Sequence, residues 1–276
     1  VRKIGVDVLN ENKLNSKLVI TDVSINREEA IIKGAEYKLN TVATVKALVD
    51  INNIPNPDVG TVELKNINLV AYDEKGMVVD IEIVPSTVTA TIQIASPKKV
   101  VPITIVPVGT PAFGTAISEI NSSVDTVTIY GKQSDLDKIT SIPVEVDVDN
   151  LSSKKHITTS ISKPSGVNYI SETSVTVDIE VGKETTSEIE DIPVSYKNLS
   201  SNYSVLATGN NFITVVLKGV DSVLKNIDKS SITAYVDLQG YGPGTHEVDV
   251  IVQGTDLRVN YSSKIKKVSI IIKDSK

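Results

Sequence analysis

The sequence predicts a mainly β protein: a tandem array of three similar small β-rich domains, each with one or two short helices. Two observations carry this prediction. The first is the kind of apolar residue present. Hydrophobic residues make up 40% of the chain, with no Trp, two Phe and one Met, and Val and Ile dominate. Such β-branched residues lose rotamer freedom in helices and pack well on pleated sheets. The second is a motif that recurs three times. Gly34, Gly131 and Gly219 each end an apolar stretch. Leu39, Leu136 and Leu224 follow at +5, Val42, Ile139 and Ile227 at +8, and Asp50, Asp147 and Asp237 at +16, +16 and +18. The glycines are 97 and 88 residues apart. That exceeds solenoid periods of about 20 to 50 residues and suffices for a small domain with its own core. The expected domains are 1–96 (the divergent copy), 97–184 and 185–276.

Each copy reads in the same order. Residues 4–9, 102–107 and 192–196 form an opening strand. A second strand follows with alternate apolar positions, Ala30 and Ile32, Val127 and Ile129, Val215 and Leu217, the signature of a half-buried strand. The recurring Gly ends it, in a positive-φ turn or at a close backbone approach. Residues 134–139 then predict a helix of about two turns with Ser134 or Asp135 as N-cap. From it Leu39, Leu136 and Leu224 enter the core, with Ile139 and Ile227. A third strand, 47–50, 144–147 or 234–237, closes on the shared Asp, whose carboxylate can accept backbone N–H groups of the next turn. Two further strands finish a copy: 156–161 and 174–181 in the middle one, 246–253 and 264–272 in the last. The polar, turn-prone stretches 96–99 and 182–191 read as junctions. Their shortness predicts domains placed end to end in an extended rod.

Chemistry is sparse. The net charge is −6, and the three copies hold 10 basic against 13 acidic groups, 8 against 11, and 10 against 10. None is basic, which argues against a nucleic-acid partner. Cysteine is absent, which excludes thiol catalysis, disulfides and zinc–thiolate sites. No stretch reaches the roughly 20 apolar residues of a membrane helix. His156 and His246 fall in separate copies near equivalent strands, with Lys65 or a neighbour at that place in the first. Neither is set beside a nucleophile and a carboxylate. Residues 109–114, with Gly109, Pro111 and Gly114, lack the lysine and the context of a phosphate loop. Glu28-Glu29, Asp135 with Asp137, and Glu188 with Glu190 and Asp191 read as solvated charge. Residues 240–244 read as a turn carrying Tyr241. Asn121-Ser122-Ser123 and Asn202-Tyr203-Ser204 match the glycosylation triplet in a chain rich in both residues. No catalytic, metal or cofactor-binding residue is predicted.

The recurring residues also carry a resemblance. The middle copy holds Pro102-Ile103, the Val108-Gly109-Thr110-Pro111-Ala112-Phe113-Gly114 loop, the block ending at Gly131, then Leu136, Ile139, Val146-Asp147-Val148 and Pro164-Ser165-Gly166-Val167. The third keeps Ile192-Pro193-Val194, the Gly219 block and Val236-Asp237-Leu238, while the first lacks the Gly-x-Pro loop and rests on residues 32–51. This pattern resembles the YbbR domain. The resemblance implies the extracytoplasmic part of a regulator of a membrane diadenylate cyclase, the enzyme making cyclic di-AMP in many Gram-positive bacteria. It implies a single membrane helix upstream of Val1, the cyclase as partner, and no catalysis or cofactor in this chain. A cell-wall or surface-binding array of spacers, with a wall component as partner, is the alternative. An RNA-binding reading, prompted by a similarity of fold to a ribosomal protein domain, is opposed by the acidic charge.

Overall fold

The computed structural model describes residues 1–207 and 211–275. The alternating pattern of the first copy yields β1 (Arg2–Leu9), β2 (Val19–Ile25), β3 (Glu29–Lys33), α1 (Glu36–Leu39), β4 (Thr44–Asp50), β5 (Gly60–Tyr72), β6 (Glu82–Val84) and β7 (Thr87–Ala95). The second contributes β8 (Lys98–Val108), β9 (Thr115–Ser122), β10 (Thr126–Gly131), α2 (Gln133–Leu136), β11 (Ile142–Asp147), β12 (Lys155–Ser160) and β13 (Val167–Ile170). Then β14 (Ser174–Lys197) leads into β15 (Tyr203–Ala207), β16 (Phe212–Val220), α3 (Asp221–Leu224), β17 (Ile232–Asp237), β18 (Gly244–Asp249), β19 (Ile251–Gly254), β20 (Asn260–Ser263) and β21 (Lys267–Asp274). The fold is mainly β, as the Val and Ile content requires.

The chain packs as two compact units that divide the second copy. One comprises Val1–Pro102, Thr126–Ile142 and Ser162–Thr173, the other Ile103–Asp125, Pro143–Ile161 and Ser174–Lys276. In the first, a seven-stranded sheet runs β2-β7-β5-β4-β1-β3-β6. Its core is the inward face of period-two strands: Val45, Ala47 and Val49 of β4, and Ala90, Ile92 and Ile94 of β7, are all buried. The opening strand β1 pairs in parallel with β4, from Ile4 opposite Val45 to Leu9 opposite Asp50. Residues 98–102 of β8 pair with β10, which pairs with β13.

The second unit is organised by β14. The stretch 182–191, expected as a turn-prone junction, lies instead inside this single 24-residue strand. Its polar composition reports where its side chains point. It does not report whether its backbone is paired. Residues 177–183 pair with β9, and 174–179 with β12 on the other edge. Residues 184–193 pair with β16, and 194–197 run parallel to β17. The phase of burial changes along the strand. Val175, Val177 and Ile179 are buried at odd positions, while Ile192 is buried at an even one. A register shift between Ile189 and Ile192, with Asp191 at φ 58°, supplies the extra residue. A bulge of this kind turns every following side chain over. The sheet order is β19-β17-β14-β16-β20, and a three-stranded sheet, β15-β21-β18, packs its buried Val268, Ile270 and Ile272 into the same core. A flexible insert within 182–191 would break the β14–β16 ladder, so it would not lengthen a linker.

The recurring motif is structural, with corrections in detail. The glycines do not adopt positive φ. They permit close approach: a Cβ on Gly131 would lie 2.5 Å from the Gly166 carbonyl oxygen, one on Gly219 3.0 Å from Leu224 Cδ2, and one on Gly34 3.4 Å from Ile81 Cγ2. The +5 leucine meets its glycine in every copy. The helices are single turns of four residues, not two turns, and Lys132, not Ser134 or Asp135, is the N-cap residue of α2. Each turn ends where the +8 residue donates its N–H to the +5 carbonyl, at 3.3, 3.1 and 3.3 Å for Val42, Ile139 and Ile227. That bond pulls the chain back toward the sheet. Leu136 and Leu224 are buried, with Val223 beside Leu224 in α3, but Leu39, Ile139 and Ile227 are only half-buried.

Truncating Leu136 to Ala should lower the unfolding free energy by about 2 to 5 kcal/mol, read from urea denaturation. Gly131→Ala should destabilise more than Gly34→Ala, since the first forces a Cβ against a backbone carbonyl and the second only into ordinary side-chain contact. Equal midpoints for the two alanine variants would contradict this account of the motif.

Candidate functional site

The three shared aspartates build a clasp at the ends of paired strands. Asp50 Oδ1 accepts the Asn52 N–H at 2.9 Å, Asp147 Oδ1 that of Asp149 at 2.9 Å, and Asp237 Oδ1 that of Gln239 at 3.0 Å. This is the turn role expected from the sequence. The residue one beyond the opening strand completes it. Asn10, at φ 59°, donates its side-chain amide to Asp50 at 2.9 Å, and Asn198, at φ 57°, does the same to Asp237 at 3.0 Å. Gly109, at φ 98°, occupies that place in the middle copy, against Asp149. Asn tolerates the left-handed region and carries a donor, which is why it alternates there with Gly. Sequence reasoning missed Asn10 and Asn198; the signal was an Asn one residue past an apolar strand in two of three copies. The Asn10 amide, followed by the Asn52 N–H, holds the Asp50 carboxyl below its ordinary value. The Gln239 N–H, followed by the Asn198 amide, does so for Asp237. These groups are structural.

The candidate binding site lies in the second unit, where β14 passes from one copy to the next. A cleft of about 560 Å³ is lined by Pro107, Gly109, Pro111 and Ile117 on the β8–β9 side, by Val252, Leu257 and Tyr261 from the last copy, and by Glu184 and Lys218. The loop 109–114, between β8 and β9, is pinned by hydrogen bonds. The Ala112 N–H donates to the Leu151 carbonyl at 3.0 Å, the Asn150 N–H to that of Thr110 at 2.8 Å, and the Thr115 hydroxyl to those of Ala112 and Leu151 at 2.6 and 3.1 Å. The loop holds Phe113 fully in solvent.

The lining from the last copy is fixed by a forked ion pair. Arg258 Nε donates to Asp256 Oδ1 at 3.0 Å and Nη2 to Oδ2 at 2.6 Å, while Nη1 donates to the Ser118 carbonyl of β9 at 3.2 Å. Bidentate pairs of this kind fix orientation as well as add energy. Bonding to Arg258 lowers the Asp256 pKa and raises that of the guanidinium, and burial pushes the Tyr261 hydroxyl up. The Tyr261 ring lies against Gly254, where any Cβ would collide with it. Neither Glu184 nor Lys218 forms a side-chain ion pair among the described residues. The cleft therefore offers a mixed polar and apolar lining, with an acid, Glu184, and a cation, Lys218, that have no ion-pair partner among the described residues: groups suited to binding.

The residues singled out in the sequence do not converge. His156 Nδ1 lies 2.5 Å from Asp178 Oδ1 on an exposed strand pair, a partner set by the β12–β14 register. His246 Nε2 is 2.8 Å from the Gly242 carbonyl, and its ring meets Tyr241 edge-on at 5.0 Å. Asp135 pairs with Lys138 and Glu188 with Lys264. Among the described residues, no group of three or more His, Cys, Asp or Glu could hold a metal, and no helix is long and apolar enough to cross a membrane.

The YbbR-like protein family matches the chain three times, at residues 4–92, 101–179 and 189–272. Over 254 residues the chain is 29% identical to the CdaA regulatory protein CdaR of Bacillus subtilis (strain 168), covering 91% of this chain and 52% of that protein. It thus spans about half the length of that relative. Solved structures similar to it include the YbbR-like domain of the lmo2119 protein from Listeria monocytogenes. That domain is 23% identical, with 33% of this chain and 94% of that one covered and a TM-score of 0.30. A YbbR-like protein from Streptococcus pneumoniae TIGR4 is 18% identical, with 66% and 93% covered and a TM-score of 0.28.

Four carboxylates, those of Asp50, Asp228, Asp237 and Asp256, have pKa values below the ordinary one. A depressed folded-state pKa contributes stability above the unfolded value of about 3.9, and that stability is lost as pH falls through the folded value. Asp256→Asn should therefore lower the urea midpoint at neutral pH, and the gap to the parent should close as the pH falls through the folded-state value of that carboxyl. A gap that persists in acid would show that the carboxylate charge is not what matters. The triple match of one family, in register with the motif and the clasp, makes the chain a member of the YbbR family.

Proposed function

We propose that this chain is a non-enzymatic regulatory module that acts on a membrane diadenylate cyclase, and so on cyclic di-AMP, from the extracytoplasmic side. The observation that carries this reading is its likeness, along nearly its whole length, to a protein named as the regulator of CdaA. The physical character of the domains supports it. The recurring residues serve strand ends and helix turns, and the cleft has binding groups without a reactive pair. In this reading the domain boundaries fall near 96/97 and 184/185, the second of them inside β14. The repeats join the rest of the regulator at the membrane and bias the cyclase by contact, which requires that bound and free states differ in their contacts with that partner.

The test is the cyclic di-AMP level in cells lacking the regulator, in cells carrying it whole, and in cells carrying it without the repeats. The reading expects the whole protein to shift the level and the repeat-deleted form to shift it less. Equal levels in all three would overturn it and leave a wall-binding array as the better account.

A further inference from the structure

The first unit contains a polar hollow that the regulatory reading does not use. Its volume is about 450 Å³, and its lining includes Glu11, Asn12, Asn15, Ser16, Lys132 and Lys163. Beside it stands Lys17, whose ammonium lies 4.6 Å from the ring centre of Tyr169 and 5.5 Å from that of Tyr130. None of these three lysines belongs to any of the ion pairs among the described residues. In a chain of net charge −6, the lining thus carries two ammonium groups without an ion-pair partner against a single carboxylate, that of Glu11, with Lys17 beside it.

The lysines sit on segments that are held in place. The Lys163 ammonium donates to the Asn168 carbonyl at 3.1 Å, which fixes its direction and leaves further N–H bonds free. The Lys132 carbonyl accepts the N–H groups of Asp135 and Leu136 at 3.0 and 3.1 Å. The segment before β2 is pinned by the Leu18 N–H on the Asn15 carbonyl at 2.8 Å, the Lys17 N–H on Asn15 Oδ1 at 3.0 Å, and the Ser96 hydroxyl on the Lys17 carbonyl at 2.8 Å. Asn12 and Asn15 retain amide donors, and the Ser16 hydroxyl stands with them. Little ordering is left for a ligand to impose.

We propose that this hollow binds a phosphate-bearing anion. Ammonium groups are compact point charges with rotatable donors, suited to a tetrahedral anion with several oxygens. The planar fork that reads a carboxylate in two places belongs to Arg, and none lines the hollow. A site of this size holds more than one phosphate group and is within the range of small-molecule pockets, so the phosphate is part of a larger polar molecule. The charge could come from a soluble phosphate compound or from an anionic lipid headgroup. Because Lys132 and Lys163 belong to the second copy and residues 11–19 to the first, occupancy would report at the contact between the two.

The proposal is independent of the cyclase reading, and binding to the purified chain tests it. Tripolyphosphate and phosphatidylglycerol vesicles serve as separate probes, followed by calorimetry and co-sedimentation. The Lys132→Gln/Lys163→Gln double variant should weaken tripolyphosphate binding about tenfold or more. A control pair, Lys229→Gln/Lys273→Gln, which removes the same charge elsewhere, should leave affinity within about twofold, since exposed charges separated by more than a Debye length are screened. Vesicle binding alone, lost in the double variant, would assign the anion to a lipid surface. Circular dichroism melts establish that the variants fold. Absence of binding to both probes, or equal weakening by the control pair, would overturn the proposal.

Discussion

The second unit depends on one backbone constraint, the continuity of β14 through two domains. A strand that serves two cores must offer inward side chains to both. Val175, Val177 and Ile179 are buried at odd positions of β14, and Ile189, still in that phase, already packs on the core of the last copy. The bulge between Ile189 and Ile192 adds one residue, so that Ile192 enters the same core from an even position. The cleft follows from the same constraint. It opens where β9 leaves β14 at Lys183 and β16 takes over at Glu184, and the Asp256–Arg258 fork reaches across that changeover to the Ser118 carbonyl.

Much of the fold could be read from the chain because its determinants are local. The second strands at Ile32, Ile129 and Leu217, the close of the third at Asp50, Asp147 and Asp237, and the glycines that admit the +5 leucine all depend on spacing along a few residues. The parallel pairing of β1 with β4 and of β14 with β17 could not be read so. It joins strands tens of residues apart, and composition carries no record of direction. The stretch 182–191 departs from the junction its composition predicts for a related reason. Thr185, Ser187, Glu188 and Glu190 suggest a loop when strands are recognised by apolar alternation. The backbone of this stretch pairs with β9 up to Lys183 and with β16 from Glu184 onward, and a paired strand can still turn its side chains to water.

The candidate sites were less legible than the fold. Each is assembled from residues that are unremarkable alone: a Pro-rich loop and an Asp-x-Arg turn in one case, three separate lysines in the other. His156 shows the limit from the opposite side. Its carboxylate partner Asp178 is 22 residues away and is brought near only by the register of β12 on β14. No spacing rule would find it, and the pair remains on an exposed face.

The arrangement of β14 also bears on how a regulatory signal could travel. Where two domains meet through a flexible linker, a ligand on one changes little in the other, because the linker absorbs the change. A shared strand leaves no such slack, since β9 and β12 on one stretch of β14 and β16 and β17 on the next are held by one continuous backbone. The bulge at Asp191, where φ is positive, interrupts the ladder beside the core of Ile192, Val215 and Leu217. Glu184, where β14 changes partner from β9 to β16, lines the cleft. A regulatory signal carried through this unit would therefore need no long pathway of side chains, because one backbone ladder runs past both places.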